Sequence, residues 1–194
     1  MSTRRITPIL VVLLLAGCSG GGDAANQPVS DSAVVAPAPM PAAPAIADAD
    51  IAHIVVTANT IDIEAAEQAR TKSQNADVKK FAETMIKDHT GVNQQATALA
   101  QSLSLTPADN ATSQTLKTEA DAAKAELAAK SGADFDRAYI AREVAYHQAV
   151  LDALDQTLIT NAQNAQLKAL LEQSRPAFAA HLQMAKDLQT RLGG

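Results

Sequence analysis

Four histidines are the residues of this chain best suited to chemistry: His53, His89, His147 and His181. Helical periodicity places each on a different long helix, and the last three fall on the faces that carry the large apolar residues. Imidazole nitrogens bind transition metals, and helical bundles build metal sites from histidines and carboxylates that project inward from facing helices. His53 lies near the start of the helical region, and we expect it to be exposed.

Carboxylates complete a candidate set of metal ligands with three of these histidines. Asp88 adjoins His89, Glu143 lies one helical turn before His147, and Glu64 is on the first helix. The predicted ligands, for an ion such as Fe, Zn or Cu, are His89, His147, His181, Glu64, Asp88 and Glu143. The sequence lacks the Glu-x-x-His motifs of di-iron bundles, because Val144 and Phe178 stand three positions before the last two histidines.

A structural role explains the same histidines without any metal. A core imidazole can donate one ring proton to a carbonyl or a carboxylate and pack as a satisfied polar group. Glu143 and His147, four residues apart, could form such a pair. The sequence contains no Gly-rich phosphate loop and no nucleophile elbow, so we predict no catalytic residue and favour a non-enzymatic protein.

The elements that must position these residues are helices. Ala, Gln, Lys, Glu and Leu dominate from residue 47 onward, and breaks are predicted at residues 106–107, 131–132 and 160–161. Asn75 is a predicted N-cap. The pattern predicts an all-α four-helix bundle with an extra helix, near residues 108–130, in the connection between bundle helices 2 and 3. Pro176 should kink the last helix or divide it into two pieces.

Several segments resemble a bacterial envelope family known as domain of unknown function 4142. They are residues 75–82, residues 85–89, and residues 135–139 with the downstream His147, Pro176 and His181. The resemblance spans roughly residues 48–192 and implies a ferritin-like fold, export or lipid anchoring, and no established activity. It marks as a set the positions Glu64, Asp88, His89, Tyr139, His147 and His181, and it leaves their role open.

The N-terminal region has the pattern of a bacterial lipoprotein signal. Arg4 and Arg5 precede a short apolar stretch that is too short to span a membrane. The residues Leu-Ala-Gly-Cys at 15–18 resemble a lipobox, in which the cysteine is lipidated and becomes the first mature residue. Ser19, in place of Asp, favours the outer membrane in the sorting pattern that this resembles. We therefore expect a membrane anchor at Cys18 and a domain that faces the periplasm.

Composition divides the chain into a signal peptide over residues 1–17, a lipidated cysteine with a Pro/Ala/Gly-rich tether over 18–46, and a helical domain over 47–194. The tether has too few large apolar residues to offset its ordering entropy, which predicts disorder. Lipidation of Cys18, the chain's one cysteine, would leave no thiol for disulfides or metal binding.

The net charge and the aromatic content limit the classes of partner that this chain can bind. The formal net charge is -5 and Trp is absent, which argues against nucleic-acid binding because that needs phosphate-neutralising charge and stacking surfaces. No protein partner is indicated. We expect a lipid-anchored envelope protein with an interaction or stress-related role, or alternatively a metal-binding or metal-dependent redox bundle.

Overall fold

The computed structural model describes residues 46–193, and every regular element in this part of the chain is a helix. The helices are α1 (Asp48–Lys72), α2 (Ala76–Ser102), α3 (Ala111–Ala128), α4 (Gly132–Ala153), a π-helical segment (Leu154–Leu158), α5 (Ile159–Asn161) and α6 (Ala165–Arg191). The all-α prediction is confirmed. The predicted signal peptide, the lipidation at Cys18 and the tether up to residue 45 lie outside the described residues. Ile46, the last residue assigned to the tether, is half-buried and packs against the bundle interior. Within residues 46–193, no helix combines the length and apolarity needed to cross a membrane.

Asparagine side chains cap the start of three helices. Asn75, Asn110 and Asn164 stand before α2, α3 and α6, and each accepts hydrogen bonds from backbone N–H groups of the first turn. These N–H groups have no partner within the helix, so each cap contributes about 1 kcal/mol to stability. The prediction of Asn75 as an N-cap is confirmed.

The four longest helices pack side by side into a helical bundle. The pairs α1–α2 and α4–α6 have the most extensive contacts, and α2 also packs on α6 and α1 on α4. Helix α3, in the connection between α2 and α4, lies mainly on α1 and buries only Ser113 and Leu127. The extra helix predicted in this connection is therefore present.

Two apolar clusters fill the interior. One includes Ile51, Leu154 and Phe178, and the other includes Met85 and Tyr139. Along α1, α2 and α4, buried polar residues occupy the stretch between the residues of the two clusters. The bundle therefore holds a polar layer between two apolar layers.

Helix α6 runs without interruption through Pro176, so the predicted alternative of two separate pieces is wrong. Proline has no N–H and cannot donate to the carbonyl of Glu172 four residues earlier. Both residues are exposed, so water can reach this side of the helix. Helix α6 is joined to the start of α1 because the Asp48 carboxylate accepts hydrogen bonds from the backbone N–H groups of Gln163 and Asn164.

Candidate metal centre

Three histidines from three different helices meet inside the bundle. His89 of α2, His147 of α4 and His181 of α6 are all buried. Their ring centroids lie 5.6 Å apart for His89–His147, 5.2 Å for His89–His181 and 5.4 Å for His147–His181. One ligand nitrogen of each ring lies within 4.8 Å of those of the other two. Nitrogen ligands of one zinc ion lie about 2.0–2.1 Å from it, hence about 3.4 Å apart, so modest ring movements would let the three bind one ion.

Two fully buried carboxylates adjoin the histidines. Oδ2 of Asp62, on α1, lies 2.7 Å from Nε2 of His89 and 3.9 Å from Nε2 of His147. One ligand atom each from Asp62, Glu143 and His147 also lie within 4.8 Å of one another. All four long helices thus contribute to one set of residues, Asp62, His89, Glu143, His147 and His181, which we call the buried cluster.

Each imidazole of the buried cluster has a partner on one ring nitrogen. His89 Nδ1 donates to Oδ1 of Asn59 at 2.6 Å, and the amide nitrogen of Asn59 in turn donates to the carbonyl of Val55. His147 Nδ1 donates to the backbone carbonyl of Glu143 at 3.0 Å. His181 Nε2 donates to the carboxylate of Asp88 at 3.1 Å. Such contacts fix the tautomer and orientation of a histidine that binds metal through its other nitrogen.

The other ring nitrogen of each histidine is buried and makes no hydrogen bond to any of the described residues, 46–193. These atoms are Nε2 of His89, Nε2 of His147 and Nδ1 of His181, and both carboxylate oxygens of Asp62 share this property. The 2.7 Å contact between His89 and Asp62 is close enough for an ion pair but lacks hydrogen-bond alignment. A neutral imidazole that donates one N–H keeps a lone pair on the other nitrogen, which is the atom that binds metals.

Burial and mutual repulsion set the charges of the buried cluster. Burial lowers the pKa of His147 to about 4, with repulsion from His89 adding to the effect and Asp62 opposing it. Burial likewise lowers the pKa of His181. Both rings are therefore neutral near pH 7 and ready to bind a cation.

The two carboxylates respond in opposite directions. Burial alone would raise the pKa of Asp62, but the contact and charge attraction of His89 and the charge of His147 bring it below its usual value. Burial and repulsion from Asp62 raise the pKa of Glu143 well above its usual value, although Arg142, whose Nη1 lies 2.6 Å from Oε1 of Glu143, opposes this shift. A cation between the carboxylates would relieve their repulsion, because nearby positive charge favours the ionised form.

The structure brings together four of the six ligands predicted from the sequence, namely His89, His147, His181 and Glu143. Glu64 is exposed and pairs with Lys124 of α3 at 3.3 Å, contrary to the prediction that it joins the histidines. It lies two residues after Asp62, about 200° around the helix, and so faces away. Asp88 contacts His181 from the edge of the buried cluster, where its side chain is 37 % exposed.

His53 also differs from its prediction. The sequence predicts an exposed ring, but the side chain is only 20 % exposed, and Nε2 lies 3.4 Å from a carboxylate oxygen of Asp109. Asp109 lies just before α3, so the packing of that segment over α1 covers the ring. His53 remains outside the buried cluster.

The sequence reasoning missed Asp62 and Asn59, both on α1. Asp62 lies four residues after Ala58 and three before Ala65, which are part of the apolar spacing of this helix. Asp is almost never fully buried unless it is paired, so a carboxylate on an apolar face was an available signal of a buried site. Asn59 lies four residues after Val55, on the same apolar face, so the same signal was available for it.

Comparisons with known structures agree with the fold. The crystal structure of a putative secreted protein DUF305 from Streptomyces coelicolor is 13 % identical, with a TM-score of 0.66, and the match covers 76 % of this chain and 94 % of that one. CopM in a Cu(II)-bound form is 18 % identical, with a TM-score of 0.59, and the match covers 76 % of this chain and 99 % of CopM. CopM in a silver-bound form is 19 % identical, with a TM-score of 0.58, and the match covers 77 % of this chain and 99 % of CopM. At these identities the likeness shows a shared fold alone.

The family model described as "Domain of unknown function (DUF4142)" matches residues 33–188. No curated protein matches the chain. The family match spans well over half of the sequence and contains every residue of the buried cluster. The chain therefore belongs to the DUF4142 family.

Proposed function

We propose that this protein binds a transition metal ion, Cu(II) in the first instance, in the buried cluster between its four long helices. The observation that carries the proposal is the triangle of buried imidazoles, with ring centroids 5.2–5.6 Å apart and one nitrogen of each ring free of hydrogen bonds. The proposed role is metal binding and not catalysis, and we assign no residue to a catalytic function.

The donor types support a metal of borderline softness. The buried cluster offers three imidazoles and two carboxylates and no sulfur, a set that suits Cu(II) and Zn(II) and gives Cu(II) the higher affinity in the Irving–Williams order. CopM, which shares this fold, has structures in a Cu(II)-bound form and in a silver-bound form. His89, His147, His181 and Asp62 are the proposed ligands, with Glu143 placed to join or to balance charge.

A purely structural polar network is the competing explanation. Such a network normally pairs its buried atoms, because each buried polar atom without a partner costs about 1–3 kcal/mol. Here Asp62, Glu143, His147 and His181 all keep at least one buried atom without a hydrogen bond. A bound cation would give these atoms partners, which favours the metal-binding role.

The test is calorimetric titration of Cu(II) into the purified protein after metal removal with a chelator. We expect saturation near one equivalent, with affinity reduced at least about 100-fold in His147→Ala through loss of a ligand. His53→Ala is the matched control, since His53 is a partly buried histidine outside the buried cluster. Absence of saturable binding, or equal affinity in His147→Ala, would contradict the proposal. Zn(II) in the same titration distinguishes a copper site from a zinc site.

We also propose that the protein is anchored in the outer membrane through a lipid on Cys18, with the bundle facing the periplasm. The lipobox-like residues 15–18 and Ser19 support this. Metabolic labelling with a fatty acid should mark the protein, and Cys18→Ala should lose the label and leave the membrane fraction. Label that persists in Cys18→Ala would mean that the lipid is attached elsewhere.

Within the all-α class, we propose a ferritin-like arrangement. The pairing of α1 with α2 and of α4 with α6, joined by a long connection that contains α3, supports this assignment.

A further inference from the structure

A cavity of about 370 Å³ lies beside the buried cluster. Its walls come from all four long helices, from α3 and from the π-helical segment, and His89 contributes to both the cavity and the buried cluster. A buried apolar cavity of about 150 Å³ is large enough for benzene, so this volume suits a molecule of about 12–15 carbon atoms. The volume also falls within the usual range for small-molecule sites.

The inner wall of the cavity has few polar groups left to recognise a ligand. Nδ1 of His89 donates to Oδ1 of Asn59. The hydroxyl of Tyr146 donates to the carbonyl of Ala58 at 2.8 Å, and the hydroxyl of Ser174 donates to the carbonyl of Leu170 at 2.8 Å. A ligand with several polar groups would lose hydrogen bonds to water there without replacement.

Charge further restricts the ligand. Among residues 46–193, no Lys or Arg lines the cavity, and Glu119 is the one carboxylate that does. Oδ2 of Asp62 lies 2.7 Å from Nε2 of His89, which lines the cavity, so the negative charge of Asp62 also disfavours an anion at this end. The walls therefore select a neutral, predominantly apolar molecule.

The cavity has an opening between α3 and α4. Glu119 of α3 and Ala149 and Ala153 of α4 line the cavity and are exposed to solvent. Helix α3 buries only two side chains, so moving it away from α4 disrupts little packing. A ligand that enters here displaces α3 and leaves the four long helices folded.

The π-helical segment forms part of the same wall. Leu154, Thr157 and Leu158 line the cavity, and the N–H of Ile159 donates to the carbonyl of Leu154 five residues earlier. A π-helical turn inside an α-helix is rare and occurs frequently at functional sites. Its position here, with the apolar side chains of Leu154 and Leu158 facing the cavity, is an observation independent of the cavity's volume and polarity.

We propose that this cavity binds a neutral apolar molecule of about 12–15 carbon atoms, a chain or two fused rings, which enters between α3 and α4. This second site does not depend on the proposed metal site. The ligand would contact His89 and Phe178, whose rings stack with centroids 5.1 Å apart, and so would lie next to the buried cluster.

The test uses the neutral fluorescent probe N-phenyl-1-naphthylamine and the purified full chain in the presence of a chelator. We expect saturable fluorescence enhancement at one equivalent, with displacement by 1-dodecanol at least about tenfold more effective than by dodecanoate at pH 8, a difference of about 1.4 kcal/mol. Binding to His147→Ala should be unchanged, which separates this site from the metal proposal.

Two variants block the cavity in different ways. Ala58→Phe fills its inner wall and Ala149→Trp obstructs its opening, and each should weaken probe binding at least about tenfold, or about 1.4 kcal/mol. Ala145→Trp, on an exposed position of α4 outside the cavity lining, should bind as the wild type does. Circular dichroism identifies a variant that fails to fold. No saturable binding to the wild type, equal binding in a folded Ala149→Trp, or preferential displacement by dodecanoate would overturn the proposal.

Discussion

Acid should destabilise the metal-free protein through His147. Burial lowers the pKa of this ring from 6.5 to about 4 in the folded protein. Because the folded pKa lies below that of the unfolded chain, the unfolded chain takes up the proton first as the pH falls. The folded protein therefore has its full free energy of unfolding above about pH 6.5, and it loses the part that depends on a neutral His147 as the pH falls towards 4.

The magnitude follows from the two pKa values. At pH 5.5 the solution is about one unit below the pKa of the unfolded imidazole, so that ring is mostly protonated. The buried ring, with its pKa of about 4, stays neutral, and protonation therefore favours the unfolded chain by the equivalent of about one pKa unit. One unit corresponds to about 1.4 kcal/mol, so His147 alone should reduce the free energy of unfolding by about 1.4 kcal/mol between pH 7.5 and pH 5.5.

Neighbouring groups also titrate, and their contributions to the pH dependence of stability must be separated from that of His147. The lowered pKa of His181 acts in the same direction. The raised pKa of Glu143 acts in the opposite direction, because its stabilising effect is present below its usual pKa and is lost as the pH rises through the folded pKa. The lowered pKa of Asp62 contributes stability that is lost mainly below about pH 4, outside this window.

The assay is urea unfolding, followed by circular dichroism, of the chelator-treated protein at pH 7.5 and pH 5.5. The loss of stability on acidification should be about 1.4 kcal/mol larger in the wild type than in His147→Gln, whose side chain does not titrate. An equal loss in the wild type and His147→Gln would refute the reasoning, because the buried ring would then not be the source.

Three further predictions concern residues around the buried cluster. Asn59→Ala removes the hydrogen-bond partner of His89 and should weaken Cu(II) binding about 10–100-fold in calorimetric titration, and unchanged affinity would show that this contact does not orient the ring. Glu64→Gln removes an exposed pair with Lys124, so Cu(II) affinity should stay the same and the free energy of unfolding should change by less than about 1 kcal/mol in urea titration. Tyr139→Phe removes a buried hydroxyl that makes no hydrogen bond and should raise the free energy of unfolding by about 1 kcal/mol, and a loss of stability would mean that this hydroxyl has a partner.

The sequence by itself determined the helices and their inner faces. Apolar residues three and four positions apart predicted the long helices, and the asparagine before α2 capped it as expected. The same spacing placed His89, His147 and His181 on inner faces, where the structure has them. Local chemistry decides these features, because caps and amphipathic periodicity depend on residues close in the chain.

Only the tertiary structure decided which inward-facing groups meet. Three features depend on the rotation and axial position of each helix against its neighbours. They are the burial of Asp62 in place of Glu64, the hydrogen bond between His89 and Asn59, and the cavity beside Phe178. Helical periodicity specifies which face is apolar to within about one residue step of 100°, but not how far one helix slides along another. Packing of the two apolar clusters sets those positions, and so it assembles the buried cluster between them.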